Sequence, residues 1–149
     1  MSQGIVGKWS ELGPELRSLL RIVAAAMFIL AGTSKLFAFP VGMPPNGGTA
    51  AFGTQVWIGG VLEVVGGALL LVGLFTRPVA FVLSGEMAVA YFMAHAPLGP
   101  WPILNKGELA VLYAFLFLHV AARGAGAYSL DALLSRGHRF PFRLRTRAT

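Results

Sequence analysis

The chain has 149 residues, of which 56% are hydrophobic and only 12% are charged, and its formal net charge is +6. A soluble domain usually carries about 25% charged residues, so this composition excludes an ordinary soluble protein and favours one integral membrane domain over 1–149. The absence of cysteine excludes disulfides, zinc–thiolate sites, iron–sulfur clusters and a dithiol relay.

Four apolar segments are long enough to cross a membrane, which takes about 20 helical residues. The predicted spans lie at about 19–39, 56–75, 78–96 and 102–123. A short surface helix follows at about 129–135, with Ser129 as its N-cap and Asp131 in its first turn, and then a basic tail at 136–149. The predicted fold class is therefore all-α, an integral membrane four-helix transmembrane bundle.

The distribution of Lys and Arg predicts the orientation of the bundle. With four spans, both termini lie on one side. That side carries ten of the twelve Lys and Arg residues, which are Lys8, Arg17, Arg21, Arg77, Arg123, Arg136, Arg139, Arg143, Arg145 and Arg147. The positive-inside rule places this side, with both termini, in the cytoplasm. We interpret Arg21, Arg77 and Arg123 as cytoplasmic anchors. No nucleic-acid recognition module accompanies the basic tail, so we expect it to contact anionic lipid.

Polar residues recur in the outer half of the predicted bundle. At about 1.5 Å per helical residue, Glu63 lies about 10 Å below the outer surface, Glu86 about 15 Å and Glu108 about 9 Å. Lys35 lies about 7 Å from the outer end of the first helix, and Asn105 lies one turn above Glu108 on the same face. Each predicted span thus contributes a polar group to this half.

Ionised groups inside a bilayer cost about 2.5–3.5 kcal/mol each on insertion scales, so these acids must pair, bind a proton or line water. We expect one Glu to pair with Lys35 and at least one other to stay neutral. Within the second span, Gly59, Glu63, Gly66 and Gly67 share one helix face, and small residues allow helices to approach closely. This pattern predicts that Glu63 faces inward, either for packing alone or for function.

His95 is a further candidate at the outer rim, either as a proton-entry group or as an interfacial histidine. A di-iron bundle needs Glu-x-x-His pairs on two helices. Here Glu63, Glu86 and Glu108 are followed three residues later by Gly66, Val89 and Val111. We therefore expect no metal site. Phosphate-binding loops, dinucleotide fingerprints and Ser-based triads are also lacking in the sequence.

Several segments together resemble the DoxX family of small bacterial four-helix membrane proteins. They are Arg21 with AGTSKLF, LEVVGGALLLVGLFTRPVA, GEMAVAYFMAHAP, NKGELAVLY and GAGAYSLDALL. The resemblance implies an inner-membrane location. The family is named for a subunit of a thiosulfate:quinone oxidoreductase, and other members are linked to redox stress, quinone handling, or complexes with superoxide dismutase and sulfurtransferase. Most members have no assigned activity.

Three functions remain open at this point. The first is a quinone-linked redox role, with quinone as the cofactor, in which the three acids supply protons and Lys35 stabilises a reduced quinone oxygen. The second is a non-catalytic scaffold that docks a soluble or membrane oxidoreductase partner. The third is a small proton-coupled carrier, for which four spans are few unless the chain forms a homo-oligomer. Each would be a protein in contact with membrane lipid.

Overall fold

The computed structural model describes residues 10–137, and α-helices form most of it. The helices are α1 (Gly13–Phe37), α2 (Gln55–Val72), α3 (Thr76–Ala90), α4 (Pro102–Asn105), α5 (Glu108–Arg123) and α6 (Leu130–Gly137). No β-strand forms within these residues, so the predicted all-α class is confirmed. The basic tail predicted at 136–149 lies outside the described residues except for its first two positions.

Among the described residues, three helical segments are long and apolar enough to cross a membrane: Gly13–Phe37, Gln55–Val72 and Thr76–Leu98. The third segment continues α3 through one π-helical turn, Tyr91–His95, and one 3₁₀ turn, Ala96–Leu98. A π turn inside a helix frequently marks a functional site. It lies here at the outer end of the predicted bundle.

The segment 102–123, predicted as one fourth span, is interrupted in the structure. α4 ends at Asn105, Lys106 has a left-handed φ of 59°, and Gly107 is the N-cap of α5. The Oδ1 atom of Asn105 accepts a hydrogen bond of 2.8 Å from the backbone N–H of Gly107, which offers the chain a local alternative to the helix. α5 has 16 residues and is shorter than the usual span of about 20, so a fourth crossing stays a prediction.

The helices pack in two principal pairs, α1 with α2 and α3 with α5, and α2 contacts α3 less extensively. Phe28 of α1 joins the pairs, because its ring centroid lies 4.9 Å from that of Phe117 and 5.3 Å from that of Tyr113, both on α5. Leu70 and Leu83 are buried in the same core. Large apolar side chains elsewhere on the helices point outward, as expected where the surrounding solvent is lipid.

Arg21 is buried, with 1% of its surface exposed, and is not the cytoplasmic anchor that we predicted. Its guanidinium donates hydrogen bonds to the carbonyl groups of Leu70, Leu71, Ala125 and Tyr128. The last carbonyls of a helix have no partner within it, so a buried helix end needs an outside donor. Arg21 supplies that donor to the end of α2 and also holds the loop after α5. We call this part of the bundle the Arg21 end.

Asp131 also joins distant parts of the chain at the Arg21 end. Its two carboxylate oxygens accept hydrogen bonds of 2.9 Å from the backbone N–H groups of Phe75 and Thr76, at the start of α3. A carboxylate suits this position because a helix N-terminus carries unpaired N–H groups and partial positive charge. Ser129 caps α6 by accepting a hydrogen bond of 3.1 Å from the N–H of Ala132, as the sequence predicts.

Candidate functional site

The opposite end of the bundle, which we call the Lys35 end, holds a buried ion pair. The Nζ atom of Lys35 on α1 lies 2.5 Å from Oε1 of Glu63 on α2. The side chain of Glu63 is 2% exposed and that of Lys35 is 28% exposed. The Glu63 carboxylate is therefore buried in the bundle, while the Lys35 side chain is partly exposed at the surface. The sequence predicts that one glutamate pairs with Lys35, and in the structure that glutamate is Glu63.

Glycines bring the two helices close enough for this pair to form. A Cβ atom on Gly32 of α1 would lie 2.8 Å from the carbonyl oxygen of Gly60 and 2.9 Å from Cβ of Glu63. A Cβ atom on Gly60 would lie 3.2 Å from Cβ of Lys35. These distances leave no space for a methyl group without movement of the helices. Gly32 and Gly60 thus set the separation at which Lys35 reaches Glu63.

Glu86 approaches the ion pair from α3. Its Oε1 atom lies 3.2 Å from the position that a Cβ on Gly59 would occupy, one helical turn before Glu63 on α2. Glu86 is within electrostatic range of both Glu63 and Lys35. Within residues 10–137, the second carboxylate oxygens of Glu63 and Glu86 are buried and have no hydrogen-bond partner. We call Lys35, Glu63 and Glu86 the acid cluster.

The sequence predicts that Gly59, Glu63, Gly66 and Gly67 share one face of α2. In the structure, α2 contacts two neighbouring helices on this side, α1 and α3. Gly60 and Gly67 face α1, where a Cβ on Gly67 would meet Ile29, whereas Gly59 and Gly66 face α3. Glu63 lies between these two faces. Its position explains how one carboxylate contacts a lysine on α1 and lies close to a second acid on α3.

Tyr113 of α5 is a neighbour of the acid cluster that sequence analysis did not single out. It is within electrostatic range of Glu63, and its ring stacks at 5.4 Å on that of Phe117. The sequence feature that points to Tyr113 is its hydroxyl group within an apolar segment, because a buried tyrosine hydroxyl usually has a hydrogen-bond partner.

His95 and Asn105, both predicted site residues, form a separate polar group in the segment between α3 and α5. The Nδ1 atom of His95 lies 3.0 Å from the carbonyl oxygen of Asn105. The Asn105 amide donates hydrogen bonds to the carbonyl of Gly99 at 2.8 Å and to the hydroxyl of Tyr91 at 3.5 Å. Asn105 is 1% exposed, and these bonds close the loop between α3 and α5. Its side chain therefore has a structural role.

Glu108, the remaining predicted site residue, lies in the first turn of α5 with an exposed side chain. Within the described residues it forms no ion pair with Lys35. The sequence prediction placed Asn105 and Glu108 on one face of a continuous helix. The helix is interrupted at Lys106 and Gly107, so this placement does not hold. An acid also suits this position for a local reason, because it complements the positive end of α5.

An apolar groove of about 450 Å³ lies between α3 and α5. It is lined mostly by hydrophobic side chains, and its polar members are Ser84 and Tyr91. The hydroxyl of Ser84 donates to the carbonyl of Ala114 at 2.7 Å. Glu86 does not line the groove, because at about 100° per residue it lies on the opposite side of α3 from Ser84 and Tyr91.

Comparison with known proteins identifies the family. The DoxX family model matches residues 16–96 of this chain, which include Lys35, Glu63, Glu86 and His95. The chain belongs to the DoxX family. The matched residues cover most of α1 and all of α2, α3 and the π turn, so the acid cluster lies within the part of this DoxX protein that the family model describes.

Two relatives are similar over most of their length. An uncharacterized protein of Haemophilus influenzae is 52% identical over 122 residues, covering 79% of this chain and 90% of the relative. The inner membrane protein YqjF of Escherichia coli is 29% identical over 125 residues, covering 78% of this chain and 89% of the relative. No solved structure matches this DoxX protein. Together with its apolar helices, these similarities make it a multi-pass protein of the bacterial inner membrane.

Proposed function

We propose that this DoxX protein holds a proton at the acid cluster and serves quinone-linked redox chemistry in the inner membrane. The observation that carries the proposal is the position of buried Glu63 and half-buried Glu86 beside a single cation, each with one buried carboxylate oxygen that has no hydrogen-bond partner among the described residues. Ionisable residues inside a membrane segment are costly, and a functional site is the default explanation for them.

The charges of the acid cluster support proton binding. Lys35 offsets the charge of one carboxylate, and the second carboxylate has no cation of its own in the described part of the chain. One proton on either acid would make the whole group neutral, which removes the cost of an uncompensated charge in a low-dielectric region. Lys35 is partly exposed, so it offers the route by which the cluster meets water at the Lys35 end.

The α3–α5 groove supports quinone as the cofactor. Its volume lies within the range of about 300–1,000 Å³ that is typical of small-molecule sites, and its lining is apolar with few polar groups. A quinone accepts electrons and protons when it is reduced. The hydroxyl of Tyr91 would bind and orient its head at the groove, while the apolar lining would exclude water. Glu86 lies across α3 from the groove, so the acid cluster would store a proton without touching the quinone.

Electron supply requires a partner in this proposal. The chain has no cysteine and its sequence carries no dinucleotide or phosphate-binding fingerprint. An oxidoreductase partner would therefore deliver the electrons. The chain itself would provide the membrane site for the quinone, and the acid cluster would hold one proton apart from that site.

The quinone part is tested by extracting bound quinone from protein purified in native-lipid discs. Ala88 lines the groove, so Ala88→Phe should abolish a quinone content of near one per chain. The matched control is Ala68→Phe, which makes the same change on the exposed surface of α2 and should leave the content unchanged. Glu63→Gln should also retain quinone. Absence of enrichment over bulk lipid in the unaltered protein would overturn the quinone part.

The proton part is tested by infrared spectroscopy of the carboxyl stretch at neutral pH. We expect a protonated carboxyl band that is lost in Glu63→Gln or in Glu86→Gln and retained in Glu108→Gln, whose side chain is exposed. Absence of this band in the unaltered protein would overturn the assignment of a stored proton, whatever the quinone content.

A proton-coupled carrier is the second candidate, and the partial exposure of Lys35 beside a buried acid favours it. It would bind a solute at the Lys35 end. Uptake into sealed vesicles that stops when a protonophore is added, and that is lost in Glu63→Gln, would support the carrier over the quinone-linked role.

A further inference from the structure

A second cavity lies at the Arg21 end, remote from the acid cluster. Its volume is about 480 Å³, and its lining includes Arg77, Arg123, Gly124, Ser129, Asp131 and Ser135. Two arginines therefore face one space that is bounded by the start of α3, the end of α5 and the first turns of α6. The proposed function does not use this space.

Hydrogen bonds hold Arg77 in one orientation at this cavity. Its Nη1 atom donates to the carbonyl oxygens of Ala122 at 2.7 Å and Ala121 at 3.2 Å, at the end of α5. Its Nη2 and Nε atoms lie 3.4 and 3.5 Å from the position that a Cβ on Gly124 would occupy. Within residues 10–137 this second edge of the guanidinium forms no hydrogen bond. The edge is the fork that binds two oxygens of a phosphate or carboxylate.

The acid in the cavity lining, Asp131, forms no ion pair with these arginines. Both carboxylate oxygens of Asp131 accept hydrogen bonds from the first amides of α3, and Asp131 is also the electrostatic partner of buried Arg21. Arg77 and Arg123 form no ion pair with any described residue. The cavity lining therefore carries two positive charges and one negative charge, and neither arginine is paired with that negative charge.

We propose that this cavity, bounded by Arg77 and Arg123, binds a phosphate group. The planar fork of Arg77 matches two phosphate oxygens, and Gly124 has no side chain that would contact the guanidinium. The group can come from the head of an anionic lipid or from a soluble phosphate ester. The predicted orientation places the Arg21 end at the cytoplasmic leaflet, whose anionic lipids collect at basic pockets between helices.

The test is native mass spectrometry of the full chain in detergent, titrated with phosphatidylglycerol. Arg123→Gln should weaken binding about fivefold, because one arginine near a membrane surface contributes about 1 kcal/mol. Arg77→Lys should weaken it by a similar factor, since it keeps the charge but loses the fork. Arg136→Gln is the matched control. It removes the same charge at the same end but lines a different cavity, and should leave the affinity unchanged.

Two further ligands identify the source of the phosphate group. Diacylglycerol, which has the same tails and no phosphate, should not bind at this site. If inorganic phosphate displaces the lipid from the unaltered protein and loses this ability in Arg123→Gln, the site takes a soluble phosphate group as well. If it does not compete, the site is specific to the lipid head. Equal lipid affinity in Arg123→Gln, Arg77→Lys and Arg136→Gln would overturn the proposal.

Discussion

The Nζ atom of Lys35 lies 2.5 Å from Oε1 of Glu63, and the acid is almost completely buried while the lysine is partly exposed. This asymmetry distinguishes the pair from a surface salt bridge, which contributes about 0–1 kcal/mol. In the folded bundle the Glu63 carboxylate is almost completely removed from water. Its charge is therefore stable only while a cation or a proton accompanies it.

The first prediction concerns removal of one partner of this pair. Lys35→Met should destabilise the protein by about 3–5 kcal/mol, because it leaves a buried carboxylate without a cation. Thermal unfolding in detergent measures the effect. The double variant Lys35→Met with Glu63→Gln removes both charges and should recover most of the lost stability. If the double variant is no more stable than Lys35→Met, charge pairing is not the source of the stability.

The second prediction concerns the contact between α1 and α2. Gly32→Ala places a methyl group 2.7 Å from Cγ2 of Val64 and 2.8 Å from the carbonyl oxygen of Gly60, so the helices must separate. Overpacking of this kind costs about 1–3 kcal/mol. The matched control is Gly85→Ala on α3, where the methyl group meets nothing within 4 Å. The control should be neutral or stabilising by up to about 1 kcal/mol. Equal effects of the two changes would contradict the close approach.

The third prediction concerns Arg21. Arg21→Met leaves four carbonyl groups without their donor, and each buried group without a partner costs about 1–3 kcal/mol. We expect a loss of at least about 3 kcal/mol, or failure to accumulate in the membrane. Arg136→Gln, which changes an exposed arginine at the same end, should lie within about 0.5 kcal/mol of the unaltered protein. A tolerated Arg21→Met would show that water replaces the guanidinium.

The fourth prediction concerns the cap that Asp131 provides to α3. Asp131→Ala removes the acceptor of two backbone N–H groups and should destabilise the protein by about 0.5–2 kcal/mol. Ser135→Ala, in the same helix, removes one exposed hydrogen bond to the carbonyl of Ala132 and should have little effect. Thermal unfolding measures both effects. A loss of stability in Asp131→Ala alone supports the cap for α3, and equally small effects of the two changes would contradict it.

Some features of the site could be predicted from the sequence because they depend on local pattern. Depth along a helix follows from a fixed rise per residue, so Lys35 and Glu63 could be placed at similar depth before any packing was known. The same arithmetic failed for Glu108, because the Asn105 side chain bonds the backbone two residues later and interrupts the helix. A polar side chain that competes with the helix for backbone groups carries no signal in hydropathy.

The sequence by itself determined the membrane environment, the helical fold class and the supply of charged groups near the Lys35 end. Hydropathy and helical periodicity are properties of single segments and need no tertiary contact. Only the tertiary structure decided which charges meet. Contact between Gly32 and Gly60 sets the separation of α1 and α2, and Gly59 admits Glu86 from α3. Arg21 is buried because carbonyl groups 49 to 107 residues away converge on it, and no local pattern records such distant partners.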